Sequence, residues 1–234
     1  MLDRLIQKRL EIVQENIERS CQKSGRKRTE IKVIAVTKGI RVELMKEALS
    51  CGLKRFGENR VQETESKRIA LQTEPIEWHF IGQLQRNKIP KVVEYFKYIH
   101  SLDRISQFQT IEKRLEPQKE KVLPVFLQVN LTGKETQAGL EKQEVLPFLE
   151  SLYCYRQVRV IGLMTIGPQG SEKAIRRIFH ELYQIKEKIE EQKYSWVSPI
   201  LALSMGMSDD YPIAIEEGAT YLRLGRCLFG ERSN

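Results

Sequence analysis

Apolar residues recur every three or four positions at the start of the chain, and the pattern then changes. The first set has the spacing of one face of a helix and comprises Leu2, Leu5, Ile6, Leu10, Val13 and Ile17. After it, short apolar runs alternate with amphipathic stretches such as Val42–Leu49 and Ser171–Glu191. The runs Ile31–Val36 and Val125–Val129 are almost continuously apolar, which is typical of strands buried on both faces.

Eight such runs predict strands, each followed by a helical stretch. They are Ile31–Thr37, Arg55–Glu58, Glu77–Ile81, Tyr98–Leu102, Leu123–Val129, Val158–Ile166, Leu201–Met205 and Tyr221–Leu224. Repeated βα units at a spacing of roughly 25–30 residues favour one TIM (β/α)8 barrel with an additional N-terminal helix. We expect residues 1–234 to form this single α/β domain. A doubly wound open sheet is the competing topology.

Composition adds little to this picture, but charge raises a question about partners. The 234 residues are 41% hydrophobic and 30% charged, as in ordinary globular proteins, and the net charge is +8. Basic residues are spread along the chain, and the dense run Gly25–Arg28 is flanked by Glu18 and Glu30. This distribution favours a solvated surface or an attraction for phosphorylated small molecules, and we expect no nucleic-acid partner.

The cysteines and the N-terminus indicate where the protein works. The four cysteines form no Cys-x-x-Cys pair, which is typical of free thiols in a reducing compartment, and the three histidines share no metal-ligand spacing with them. Charges interrupt the apolar residues of the first segment, so we expect no signal peptide there. No apolar run is long enough to span a bilayer. We therefore expect a cytoplasmic protein without a metal or a membrane partner.

Lys38 is the first candidate for chemistry, because it ends the most apolar predicted strand. In a TIM barrel the functional residues lie at the carboxyl ends of the strands. Partial desolvation there favours the neutral amine and creates a nucleophile for a carbonyl carbon. The alternative is a lysine that merely extends its ammonium to solvent from a strand end.

Arg223 is the second candidate. The two-residue period of Tyr221-Leu-Arg-Leu-Gly225 places Tyr221, Arg223 and Gly225 on one face, with the leucines toward the helices. Arg223 should then point into the barrel, where a guanidinium needs a partner. That partner is either a ligand or an inward carboxylate such as Glu58.

Small residues after the last two strands predict a phosphate site. Gly206 and Gly225 let backbone N–H groups approach an anion, and Ser204 adds a hydroxyl. Asp209 and Asp210 are expected to cap the next helix. An amine, a phosphate cradle and an inward arginine together suit a ligand with an aldehyde, a phosphate and a polar ring atom.

The motifs that carry these residues resemble the pyridoxal phosphate homeostasis protein family, single barrels related to the N-terminal domain of alanine racemase. They are Ala35-Val-Thr-Lys38, Phe56-Gly-Glu-Asn-Arg-Val-Gln-Glu63, Trp78-His-Phe-Ile-Gly-Gln-Leu-Gln-Arg-Asn-Lys88, Gly162-Leu-Met164, Leu203-Ser-Met-Gly-Met-Ser-Asp-Asp210, Arg223-Leu-Gly225 and Phe229-Gly230. The resemblance covers nearly the whole chain after the first helix.

The resemblance implies that pyridoxal 5′-phosphate (PLP) is the cofactor and that Lys38 holds it as a Schiff base. It also implies contacts from the phosphate to Ser204, Gly206 and Gly225, from the pyridine nitrogen to Arg223, and from the ring to Asn59 and Met164. His79 is expected on the same rim or just behind it. Arg226 departs from the family pattern, which often has a small residue there.

The resemblance further implies a binding and regulatory protein that controls PLP availability, and not an enzyme. An arginine at the pyridine nitrogen disfavours the pyridinium that most PLP enzymes use. The sequence ends at Asn234, and we therefore expect no second domain that would carry the opposed tyrosine base of alanine racemase. We expect a monomer that buffers PLP or supplies it to apo-enzymes. The alternatives are a low-activity PLP-dependent racemase or lyase, and a Schiff-base aldolase that uses no cofactor.

Overall fold

Eight parallel strands close into a barrel in the computed structural model, which describes residues 5–231. The strands are β1 (Lys32–Val36), β2 (Arg55–Glu58), β3 (Glu77–Phe80), β4 (Tyr98–Leu102), β5 (Leu123–Gln128), β6 (Val158–Met164), β7 (Val197–Ser204) and β8 (Tyr221–Leu224). Each strand pairs with the next, and β8 pairs with β1. This closure confirms the TIM barrel and excludes the open sheet.

Nine helices surround the barrel within residues 5–231. They are α1 (Leu5–Ser24), α2 (Val42–Ser50), α3 (Val61–Ala70), α4 (Ile89–Tyr95), α5 (Ile105–Leu115), α6 (Val145–Glu150), α7 (Glu172–Gln192), α8 (Tyr211–Glu216) and α9 (Arg226–Phe229). The predicted N-terminal helix is α1, although Leu2 lies outside the described residues. It packs its apolar face against α2, α8 and α9.

The strand boundaries differ most from the sequence-based prediction at β7. This strand begins at Val197, four residues before the predicted start at Leu201. Its first half is Val-Ser-Pro-Ile, in which Ile200 is exposed, so the segment lacks the buried apolar pattern that marks the other strands. The bounds of β2, β4 and β8 match the prediction.

Side chains on the two faces of the strands form separate cores. Leu222 and Leu224 belong to the large core between the strands and the helices, whereas Tyr221 packs inside the barrel with Ile34 and Phe126. This arrangement confirms the predicted alternation along β8, which results from the two-residue period of a strand.

The basic run near the N-terminus is partly built into the fold. The Arg26 guanidinium donates to the carbonyl oxygens of Ile215 and Ala219, at 3.0 and 2.6 Å, and its Nε pairs with Glu30.

All four cysteines are free thiols. Within residues 5–231, no helix combines the length and apolar character that a membrane span requires.

Candidate functional site

A cavity of about 570 Å³ lies at the carboxyl end of the barrel and brings together four of the predicted site residues. They are Lys38 after β1, Met164 at the end of β6, Arg223 in β8 and Gly225 after it. The other lining residues are Val36, Ile81, Ile166, Met207, Ser208, Asp209, Arg226, Gly230 and Glu231. The cavity therefore combines an apolar wall, a primary amine and a guanidinium.

A larger cavity, of about 820 Å³, lies at the opposite end, next to the starts of β1 and β8. Charged residues on its wall pair with one another, as His180 does with Glu217. Binding sites of TIM barrels form at the carboxyl end, where the loops after the strands converge. The carboxyl-end cavity is therefore the candidate site.

The backbone around Lys38 is held by a group that we call the Lys67 cluster, formed by Lys67, Glu58 and Glu63. Lys67 Nζ lies 2.7 Å from Glu58 Oε1, 2.6 Å from Glu63 Oε1 and 2.5 Å from the carbonyl oxygen of Thr37. Glu63 Oε1 also accepts the N–H of Gly39 at 2.5 Å. The residues on both sides of Lys38 are thus tied to one buried ammonium.

Glu58 is the deepest member of the Lys67 cluster. Its side chain is fully buried, and its Oε1 also accepts the Thr37 hydroxyl proton at 2.7 Å. Its Oε2 has no hydrogen-bond partner among the described residues. Burial raises the pKa of this carboxyl, while the charge and hydrogen bond of Lys67 oppose the rise. Glu58 therefore pairs with Lys67, and not with Arg223 as one interpretation of the sequence suggested.

Arg223 reaches the cavity from inside the barrel. It is 5% exposed, and its two terminal nitrogens donate to Ser204 Oγ and to the carbonyl oxygen of Thr165, both at 2.8 Å. Burial lowers the pKa of the guanidinium to about 10, with a smaller opposing effect from the charge of Asp210. Arg223 is still a cation at neutral pH, so the cavity contains a fixed donor.

The loops after β7 and β8 bond to each other at the cavity edge. Ser208 Oγ accepts the N–H of Cys227 at 3.2 Å, which joins the first loop to α9. Asp210 lies at the N-cap position of α8, as predicted, but its Oδ1 accepts the N–H of Met207 at 2.5 Å and caps no helical N–H. Arg226 forms an ion pair with Asp209 at the surface.

Ser204 and Gly206 do not line the cavity, although both were predicted to contact phosphate. Ser204 is fully buried at the end of β7, with its hydroxyl inside the barrel. Gly206 has a φ of +90°, and a Cβ there would lie 2.6 Å from the Ala214 Cβ. Gly206 therefore lets α8 pack closely against the strand ends.

Asn59 and His79 are also missing from the lining of the carboxyl-end cavity. Asn59 lines a second depression of about 600 Å³, together with Arg60 and Lys88, and its buried Oδ1 has no partner among the described residues. His79 is not on the rim. It is fully buried inside the barrel, where its ring nitrogens bond to Glu77 and His100.

Known proteins resemble this chain over nearly its whole length. The family model described as alanine racemase, N-terminal domain, matches residues 9–233. The pyridoxal phosphate homeostasis protein of Aquifex aeolicus is 40% identical over 96% of this chain and 97% of its own length. That of Vibrio cholerae is 37% identical over 98% and 97%. The chain belongs to the pyridoxal phosphate homeostasis protein family.

Similar solved structures include one that is described with PLP bound. PipY of Synechococcus elongatus with PLP bound is 32% identical, with a TM-score of 0.81 over 92% of this chain and 100% of PipY. Its structure without PLP aligns equally well, at 33% identity. Alanine racemase of Clostridium difficile shares the fold at 13% identity, with a TM-score of 0.76 over 98% of this chain and 57% of the racemase.

The sequence-based prediction missed Ser208, Ile81 and the Lys67 cluster. The sequence offered a signal for Ser208, because the motif Leu203-Ser-Met-Gly-Met-Ser208 contains two serines. The first ends the strand and points inward, whereas the second lies in the loop at the cavity. Lys67 gave no comparable signal, since it lies in the second turn of α3 among other charged residues.

Proposed function

We propose that this protein binds PLP in the carboxyl-end cavity and takes part in PLP homeostasis, with Lys38 holding the cofactor as a Schiff base. PLP supplies an aldehyde that condenses reversibly with a primary amine. The observation that carries the proposal is the meeting of Lys38, Arg223 and Gly225 around one cavity. The names of the relatives and the PLP-bound PipY structure support the same cofactor.

The residues present fit this cofactor in charge and shape. We assign the phosphate to the loops that carry Ser208 and Gly225, because both residues line the cavity and the bond from the Cys227 N–H to Ser208 Oγ joins the two loops at its edge. We assign the ring nitrogen to Arg223 and one ring face to Met164. Ser204 and Gly206 then act indirectly, the first through Arg223 and the second by supporting the loop.

Asn59 is assigned to the cofactor with its unpaired Oδ1 as the reason. A buried amide oxygen without a donor loses about 1–3 kcal/mol of hydrogen-bonding free energy. A ligand with a hydroxyl or N–H group satisfies that oxygen when it binds. His79 is assigned no contact with the cofactor, because it lies inside the barrel.

The cavity favours a carrier over an enzyme. No tyrosine or histidine belongs to the lining that residues 5–231 provide, and the carboxylates of Asp209 and Glu231 both lie beside Arg226. Efficient racemisation requires two positioned acid–base groups. Arg223 also presents a cationic donor that cannot take the ring-nitrogen proton. We propose that the protein buffers PLP and supplies it to apo-enzymes, and that it acts as a monomer.

A spectroscopic titration tests this proposal. Wild-type protein titrated with PLP should develop the yellow Schiff-base absorbance with a saturating, one-site dependence, and Lys38→Ala should not. Lys54→Ala is the matched control, because Lys54 is exposed at the opposite end of the barrel, just before β2. Saturable yellow absorbance in Lys38→Ala, or its absence from the wild type, contradicts the proposal, and the second outcome favours a cofactor-free aldolase.

Transfer of the cofactor tests the supply role. PLP-loaded protein mixed with a PLP-dependent apo-enzyme should restore that enzyme's activity faster than the spontaneous release of PLP from the loaded protein allows. Light scattering during size exclusion measures the mass and so tests the monomer. Reactivation at the rate set by spontaneous PLP release means that the protein buffers PLP without delivering it.

A further inference from the structure

A continuous chain of polar side chains runs through the barrel interior from the candidate site toward its other end. Arg223 Nη1 lies 2.8 Å from Ser204 Oγ, and Ser204 Oγ lies 2.9 Å from His100 Nδ1. His100 Nε2 lies 2.9 Å from His79 Nδ1, and His79 Nε2 lies 3.1 Å from Glu77 Oε1. The members come from β3, β4, β7 and β8.

The groups at the two ends of this hydrogen-bonded chain determine the direction in which its members donate. Arg223 can only donate, so Ser204 accepts from it and has its single proton left for His100 Nδ1. His100 then carries its proton on Nε2 and donates to His79 Nδ1. His79 likewise carries its proton on Nε2 and donates to Glu77. Both imidazoles are neutral, and every hydrogen bond is made without a conflict.

The pKa shifts of the two histidines and of Glu77 agree with these protonation states. Burial is the largest effect on both histidines and lowers the pKa of each. For His79, the lowering of the pKa by burial outweighs the rise caused by its hydrogen bond to Glu77. The hydrogen bond to His79 lowers the pKa of Glu77 to about 2, so Glu77 is a carboxylate that can only accept.

Aromatic contacts hold both rings in place. His100 stacks on Phe126 with ring centroids 4.1 Å apart, and His79 stacks on Tyr98 at 4.7 Å. A 180° ring flip would exchange nitrogens with carbons and so break both hydrogen bonds of that ring, and the stacked neighbours oppose the rotation. The contacts therefore favour one orientation of each ring.

The far end of the chain reaches the protein surface. Glu77 Oε1 pairs with Arg55 Nε at 3.0 Å, and Glu77 Oε2 pairs with Lys97 Nζ at 3.0 Å. Among the charges that face the histidines from the neighbouring strands, Arg55, Lys97 and Arg223 are cationic and Glu77 is anionic. Glu77 thus anchors the chain to a fixed group of charges at the amino end.

We propose that Ser204, His100, His79 and Glu77 form a positioning relay that fixes the guanidinium of Arg223 in the candidate site. Ser204 supplies the acceptor that orients Arg223, the two histidines hold the Ser204 hydroxyl, and Glu77 sets the tautomer of both rings. The effect of the relay on cofactor binding rests on the proposed function. The relay itself is a property of the protein without ligand.

Nitrogen-15 NMR of the histidine side chains tests the relay without PLP. The chain has three histidines, and the exposed His180 lies outside the relay and supplies an internal reference. His79 and His100 should both show the neutral Nε2–H form from about pH 6 to 9. A proton on Nδ1 of either ring, or a charged ring at neutral pH, overturns the relay. Ser204→Ala should shift the His100 Nδ1 resonance and leave that of His180 unchanged.

PLP affinity, measured by the yellow absorbance, tests the link to the site. Ser204→Ala removes an acceptor from a buried cation and should weaken binding by about tenfold, whereas Ser204→Thr keeps a hydroxyl and should stay within about threefold. Glu77→Gln keeps an acceptor without the charge and should weaken binding by about two- to threefold. His180→Gln is the control with unchanged affinity.

These outcomes separate the relay from the proposed function. Wild-type affinity in Ser204→Ala, or equal losses in Ser204→Ala and Ser204→Thr, overturns the positioning of Arg223 through Ser204. If the wild-type protein binds no PLP, the proposed function fails, while the NMR spectrum of the unliganded protein still decides whether the relay exists. Thermal melts of each variant show whether the fold is intact.

Discussion

Lys67 donates three hydrogen bonds beside Lys38, and Lys67→Met removes all three while keeping most of the side-chain volume. The acceptors are Glu58 Oε1, Glu63 Oε1 and the carbonyl oxygen of Thr37. The change leaves the fully buried Glu58 carboxyl with the Thr37 hydroxyl as its remaining donor. It also frees the backbone on one side of Lys38, so PLP binding should weaken along with stability.

The expected loss follows from the burial of the pair. Removing one partner of a buried ion pair costs about 3–5 kcal/mol, and the partly exposed contact with Glu63 adds at most about 1 kcal/mol. For a chain of this size each kcal/mol lowers Tm by about 2–4 °C, so the drop should be roughly 6–24 °C. Lys91→Met is the matched control. It breaks the exposed pair of Lys91 with Glu65 and should lower Tm by no more than about 4 °C.

The loss should also depend on pH in a defined direction. Burial raises the pKa of Glu58 in the folded protein, and without Lys67 the pKa rises further. A carboxyl whose pKa is raised by folding contributes stability below its unfolded pKa of about 4.3, and loses that contribution as pH rises through the folded pKa. Lys67→Met should therefore cost less at pH 5 than at pH 8.

Thermal unfolding followed by circular dichroism at both pH values measures these effects. Adding Glu58→Gln to Lys67→Met removes the unpaired charge and should recover more than half of the lost Tm at pH 8. An equal Tm loss at the two pH values, or no recovery in the double variant, would refute the reasoning that a buried carboxylate causes the loss.

Three further predictions concern the loop, the relay and catalysis. Gly206→Ala places a Cβ 2.6 Å from the Ala214 Cβ at a φ of +90°, and should lower stability by about 2–3 kcal/mol in urea unfolding. The pKa of Glu77 in the folded protein, about 2, lies below the unfolded value, so Glu77 stabilises the fold above about pH 4.3 and loses this contribution as pH falls toward 2. Glu77→Gln should therefore reduce the loss of unfolding free energy between these pH values by about 1–2 kcal/mol after solvent screening. Loaded protein given L- or D-alanine should show no racemisation beyond that of free PLP in a chiral assay, since a missing acid–base group removes about 10²–10⁴-fold in rate. Unchanged stability in the first case, parallel acid profiles in the second, or Lys38-dependent turnover in the third contradicts the corresponding argument.

The barrel was predictable because its strands carry their own signal. Parallel strands are buried on both faces, so apolar runs such as Ile31–Val36 and Val125–Val129 differ clearly from the charged helices between them. The two-residue period of a strand placed Arg223 inside the barrel, and the end of the first strand placed Lys38 at the cavity. These conclusions need no knowledge of contacts between distant residues.

The depth of polar residues along the strands could not be predicted in the same way. Ser204 and Ser208 belong to one motif, but the end of β7 falls between them, and so the first lies in the interior and the second at the cavity. His79 and His100 meet only because β3 and β4 pair with the observed register and the barrel closes. Such contacts depend on tertiary geometry, about which hydrophobic periodicity carries no information.

Reduction of the PLP-treated protein with borohydride, followed by peptide mapping, tests the central claim most directly. Borohydride converts a Schiff base into a stable secondary amine, so the modified lysine is identified by mass. The account predicts one pyridoxyl group per chain, on Lys38, at PLP concentrations near one equivalent. A pyridoxyl group on another lysine, with Lys38 unmodified, would contradict the assignment of the site to the carboxyl-end cavity.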